Sequence, residues 1–92
     1  MSNLHIIRTS AFVDNKLKQC IELLHSDDRV CLIDDGAYNA NHELISTITN
    51  KVSVIKDHLV ARNVAPNESI AIIEYSDLVT ATINAEKVIT WQ

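Results

Sequence analysis

Glycine and proline are nearly absent from this chain. Among 92 residues there is one glycine, Gly36, and one proline, Pro66. No linker, low-complexity segment or internal repeat is visible, so a single domain over residues 1–92 is expected. Basic residues are outnumbered, eight Lys and Arg against twelve Asp and Glu, for a net charge of −4. No run of basic residues offers a face that would displace counterions from phosphates, which disfavours direct nucleic-acid binding. Long apolar runs are missing as well. The longest, such as VCLI at 30–33, are far too short to span a membrane. The start, MSNLHIIRTS, lacks the charged segment and long apolar region of a signal peptide, and a cytoplasmic location is expected.

Other chemistry is excluded in the same way. Cys20 and Cys31 do not form C-x-x-C, and in a reducing compartment no disulfide is expected between them. His5, His25, His42 and His58 are scattered without zinc-motif spacing, so no metal is expected. No G-x-G-x-x-G, G-x-x-x-x-G-K or G-x-S-x-G occurs, which removes the nucleotide fingerprints and the serine-hydrolase elbow. No cofactor is expected.

What remains is an ordinary globular composition, 47% hydrophobic and 22% charged. Short β-branched runs alternate with helical patterns. Strands are predicted at 4–8, 29–34, 51–56, 70–75 and 87–91, and helices at 14–26, 41–50, 57–63 and 76–85. Asp14, Asn41 and Ser76 are the expected N-caps, and Asn63 is expected in a left-handed conformation closing the third helix. Strands joined through helices favour parallel pairing. The predicted fold is a small doubly wound α/β domain, with a mainly parallel five-stranded sheet and helices on both faces. Ligand sites of such sheets lie at the carboxyl edge. The stretch DDGAY, immediately after the second strand, falls there.

Several segments, taken in order, resemble the DsrH/TusB family. They are LHIIRTSAF (4–12), VCLIDDGAYNA (30–40), HLVARNV (58–64) and IIEYSDLVTATINAEKVITW (72–91). The family pattern has glycine where Asn63 stands and phenylalanine where Leu78 stands, and neither change threatens the fold. The resemblance implies a flavodoxin-related sheet. It also implies a subunit that assembles with TusC- and TusD-like (DsrF- and DsrE-like) chains into a heterohexamer. In the Tus system such a complex takes persulfide sulfur from a TusA-type carrier and hands it to a TusE-type carrier, toward 2-thiouridine at the tRNA wobble position. In the Dsr system it serves dissimilatory sulfur oxidation. The principal persulfide cysteine belongs to the TusD or DsrE chain.

Each candidate residue has a competing structural explanation. Some family members carry a cysteine where Cys20 stands, so a persulfide on Cys20 is the catalytic alternative. A reactive thiolate needs access and a lowered pKa. Cys20 is mid-helix beside the apolar stripe of Leu17, Ile21 and Leu24, which favours a core role. Cys31, inside a strand, reads as a core residue. Asp34 and Asp35 are either an acid pair or turn formers, and Gly36 is expected to supply a positive φ. Tyr38, Arg62 and Trp91 are the candidate partner contacts. Three functions follow: an accessory relay subunit, a sulfurtransferase working through Cys20, and a flavodoxin-like module binding a ligand at DDGAY.

Overall fold

The computed structural model describes residues 2–92. All five predicted strands are present: β1 (Asn3–Ile7), β2 (Arg29–Leu32), β3 (Lys51–Ile55), β4 (Ala71–Ile73) and β5 (Lys87–Trp91). They form one sheet in the order β4-β3-β2-β1-β5, and every neighbouring pair is parallel. Three α-helices connect them, α1 (Lys16–Leu23), α2 (Lys56–Ala61) and α3 (Tyr75–Asn84).

The winding explains the layering. From β1 to β4 the chain steps across the sheet in one direction, then returns past β1 to place β5. A crossover of fixed hand that reverses direction must lie on the opposite face. On one face Leu17 and Cys20 of α1 and Leu59 of α2 pack with Ile7, Val30, Leu32 and Val54. On the other, Leu78 of α3 packs with Leu4, Ile6, Cys31 and Ile55. Helices therefore cover both faces, but unequally, since α3 is alone on its side. β1 and β2 are central and buried, whereas β4 and β5 are exposed edges.

The second connection differs from prediction. The expected helix at 41–50 is replaced by a 3₁₀ segment, Glu43–Thr47, and a further 3₁₀ segment, Asp34–Asn41, fills the stretch before it. The reason is local chemistry. Ser46 Oγ donates to the Glu43 carbonyl and Thr47 Oγ1 to the Leu44 carbonyl, both at 2.6 Å, competing for acceptors an α-helix needs. β-branched Ile45, Thr47, Ile48 and Thr49 add little helical propensity. His42 acts as the cap in place of Asn41, its Nδ1 accepting from the Leu44 N–H at 3.0 Å.

Other ends move by a turn or less. α1 is shorter than expected. Its cap position is Asn15, while Asp14 Oδ1 accepts from the Lys16 N–H and the Thr9 hydroxyl, each at 3.0 Å. His25, inside the helix predicted at 14–26, lies beyond the end of α1. α3 is capped at Glu74 instead of Ser76, and Asp77 Oδ2 reaches back to the Glu74 N–H at 3.0 Å. Asn63 has φ 52°, the left-handed conformation expected of it.

Candidate functional site at the carboxyl edge

The carboxyl ends of β1, β2, β3 and β5 bring one polar cluster together. The end of β1 delivers Arg8, the end of β2 delivers Asp34 and Asp35, α2 delivers His58 and, at its C-terminal cap, Arg62, and the end of β5 delivers Gln92. Arg8 donates from Nε to Asp34 Oδ2 at 2.8 Å and from Nη1 to Gln92 Oε1 at 2.9 Å. The Asp34 N–H donates to His58 Nδ1 at 2.9 Å, so that nitrogen is an acceptor and the ring hydrogen sits on Nε2. Arg62 places Nε and Nη2 each 3.1 Å from Asp35 Oδ1 and donates from Nη1 to the His58 carbonyl at 3.2 Å. Its guanidinium lies 5.9 Å from the centroid of the Tyr38 ring, at the outer range of a cation–π contact.

Gly36 corrects an expectation. Its φ is not positive; the left-handed residue is Asp34, at φ 50°, a conformation that Asp tolerates. Gly36 is required by proximity instead. A Cβ built there would land on the carbonyl oxygen of Ile7 and 2.8 Å from its carbon. The loop after β2 is thus pressed against the end of β1, where the Ile33 N–H donates to the Ile7 carbonyl at 3.0 Å. Buried Asn39 locks the same junction, accepting from the Ala11 N–H at 2.7 Å and donating to the Thr9 carbonyl at 2.9 Å.

Asp34 and Asp35 therefore serve two separate arginines and do not converge on a shared proton or cation. The structure unites Asp34, Asp35, Tyr38 and Arg62 at this edge. Cys20 is elsewhere, fully buried in α1. Burial, reinforced by the negative charge of Asp28, pushes its thiol up to about 12. Burial likewise raises the Cys31 thiol. Among the described residues no group of three or more His, Cys, Asp or Glu is arranged to hold a metal. The edge presents internally paired charges, and the loop after β1 carries exposed Phe12 and Val13 (66% and 85%), with Phe12 edge-on to His42 at 4.7 Å. Such a mixture suits recognition of a protein surface.

Trp91 joins a buried polar chain that the sequence pattern did not reveal. Its Nε1 donates to His5 Nδ1 at 3.1 Å, and His5 Nε2 meets Asp28 Oδ2 at 3.0 Å. Burial alone would raise the Asp28 pKa. The N–H groups of Asn3 and His25 and the His5 ring outweigh it and hold Asp28 below the ordinary carboxylate range. The available signal was a histidine inside the otherwise apolar run LHII. Asp28 carried no signal, because two of its three partners, Asn3 and His5, are distant in sequence.

Comparison with known proteins decides the family. The sequence matches the DsrH-like protein family over residues 9–88. The chain belongs to that family. Membership supports a sulfur-relay subunit in general, in a family that forms complexes with DsrE- and DsrF-like partners. No curated protein matches the sequence. Among solved structures the fold is similar to the crystal structure of the YchN protein from E. coli, with a TM-score of 0.74, 16% identity, and coverage of 99% of this chain and 100% of that one. It is also similar to the solution structure of Tm0979 from Thermotoga maritima, with a TM-score of 0.68, 26% identity, and coverage of 91% and 94%. No helix among the described residues is long and apolar enough to cross a membrane.

Proposed function

We propose that this chain is an accessory subunit of a cytoplasmic sulfur-relay complex and that its carboxyl edge meets the partner chains. The family match over residues 9–88 carries the reading. Burial of both thiols supports an accessory role, because persulfide exchange needs an accessible thiolate. The partners are TusC- and TusD-like subunits in a heterohexamer, with the reactive cysteine on the TusD-like chain. Sulfur arrives from a TusA-type carrier and leaves on a TusE-type carrier, for 2-thiouridine at the tRNA wobble position. The acidic chain, with no basic run, suits a protein that hands sulfur between proteins without touching the tRNA. Phe12, Val13, Tyr38 and Arg62 form the contact surface at the edge, with Trp91 holding β5 in place beneath it.

Co-purification of the tagged chain from its native cells, followed by mass spectrometry and light scattering, tests this. Two homologous small α/β chains in equal amounts, in a particle near six chains, are expected. A lone chain would overturn the assignment. Loss of wobble 2-thiouridine on deletion separates the tRNA role from sulfur oxidation. Cys20→Ser, which is expected to leave sulfur transfer intact, tests the alternative of a persulfide carried by this chain.

A further inference from the structure

Because α3 alone covers the second face of the sheet, part of that face stays open. On the β2–β4 side of the helix lies a cavity of about 210 Å³. Its body is mainly apolar, made by Leu4, Cys31, Ile73, Leu78 and Ala81, with the hydroxyl side chains of Ser53 and Ser69 also in the lining. Arg29 and Lys51 line it from the amino edge of the sheet, as the first residues of β2 and β3. They are direct partners in the parallel register and share the face of Cys31 and Ser53, since alternate residues of a strand point the same way. Like charges placed opposite one another repel. Among the described residues neither cation has an ion-pair partner.

The cavity is also directional. α3 runs back against the strands, so Asp77, in its first turn, lies toward the carboxyl edge, away from the two cations. Asp27 and Asp28 line the adjoining groove with Arg29 and Lys51. Asp28 is committed to Asn3, His5 and His25, and Asp27 is itself engaged. Two adjacent exposed cations, beside a buried Asp28 carboxylate whose oxygens are taken by Asn3, His5 and His25, with a mainly apolar body and Asp77 at the far end, favour a small anion with an apolar tail. We propose that this cavity binds a short-chain carboxylate, with its head between Arg29 and Lys51 and its tail beneath α3. The volume falls below the ~300–1,000 Å³ of drug-sized pockets, which restricts the tail to a few carbons.

Titration of the full chain, followed by its backbone amide resonances, tests the site with hexanoate, hexanol and hexylamine as probes. Hexanoate is expected to shift Cys31, Ser53, Leu78 and Ala81 saturably, hexanol more weakly, and hexylamine not at all. The double variant Arg29→Gln, Lys51→Gln, whose changes are at exposed positions, is expected to bind hexanoate roughly tenfold more weakly or worse. Ala81→Leu, filling the cavity, is expected to abolish the shifts; if it fails to fold, the charge variant decides alone. Absence of saturable shifts overturns the site, and equal binding of hexylamine overturns its charge preference. A double variant that loses thermal stability yet keeps full hexanoate affinity would assign Arg29 to the nearby C-terminal end of α3 and overturn the proposal.

Discussion

The indole N–H of Trp91 donates to His5 Nδ1 across 3.1 Å, joining residues at opposite ends of the chain inside the sheet. Because an indole nitrogen only donates, His5 Nδ1 must accept, and the ring hydrogen is fixed on Nε2, facing Asp28 Oδ2 at 3.0 Å. The two rings lie 6.3 Å apart and 22° from parallel. β5 is an edge strand paired only with β1, so this contact fastens it from within the side-chain layer as well as by the backbone ladder.

Trp91→Phe keeps most of the apolar contact but removes the donor. His5 Nδ1 is then buried without a partner, a loss of about 1–3 kcal/mol. Urea unfolding is expected to show that loss, with Trp91→Ala costing more. Equal stability of the Phe variant and the parent would mean that the indole hydrogen bond contributes nothing.

Asp28 makes stability depend on acid pH. Its folded pKa is lowered, so its stabilisation is complete above the unfolded value of ~3.9 and is lost as pH falls through the folded one. Asp28→Asn cannot titrate and leaves one or more of the Asn3, His25 and His5 donors poorly paired. It is expected to cost about 1–3 kcal/mol near neutrality. The gap from the parent should begin to narrow as pH drops below ~4, where the unfolded chain takes up the proton, and should close as pH falls through the lowered folded value. A gap that stays constant with pH would show that the charge on Asp28 does not matter.

The strand pattern was legible because buried parallel strands are written as short β-branched runs, and VCLI and KVSVI are such runs. The 3₁₀ segments were not legible, because Leu44, Ile45 and Ile48 carry a helical stripe while Ser46 and Thr47 spend their hydroxyls on its carbonyls. DDGAY and the arginine in VARN were expected near the carboxyl edge, and the structure gathers them there. The pairing of Arg8 with Asp34 did not show, because it joins residues on different strands. Gly36 was located correctly but explained wrongly. A close approach by Ile7 depends on tertiary packing, whereas a positive φ can be guessed from a turn.

Gly36→Ala tests that packing. The added methyl cannot avoid the Ile7 carbonyl without separating the β2 loop from the end of β1. Overpacking against backbone typically costs ~1–3 kcal/mol, and the upper end or beyond is expected here. Thermal unfolding would register it, together with amide shifts at Ile7, Ile33 and Asp34. Asp34→Gly, which relaxes the positive φ, is expected to be much milder and to cost mainly the Arg8 ion pair, about 1 kcal/mol or less at an exposed position. The reverse order of the two variants would restore the conformational explanation for the glycine.

Cys20 gives the opposite pH dependence and bears on the relay itself. Its folded pKa is raised to about 12 by burial and then by Asp28, so the neutral thiol contributes stability that is complete below the unfolded pKa and is lost as pH rises toward 12. The loss from this group is at most ~1.4 kcal/mol per pH unit above pH ~9. Cys20→Ala removes it. The variant should be less stable than the parent near neutrality, by about 1 kcal/mol for the small cavity, and should fall more gently with alkali. In the native chain a disulfide reagent at about pH 8, where even a free thiol is only partly ionised, is expected to label neither cysteine until unfolding exposes them. Rapid labelling of Cys20 in the folded chain would mean that α1 opens, and would return the persulfide to this subunit.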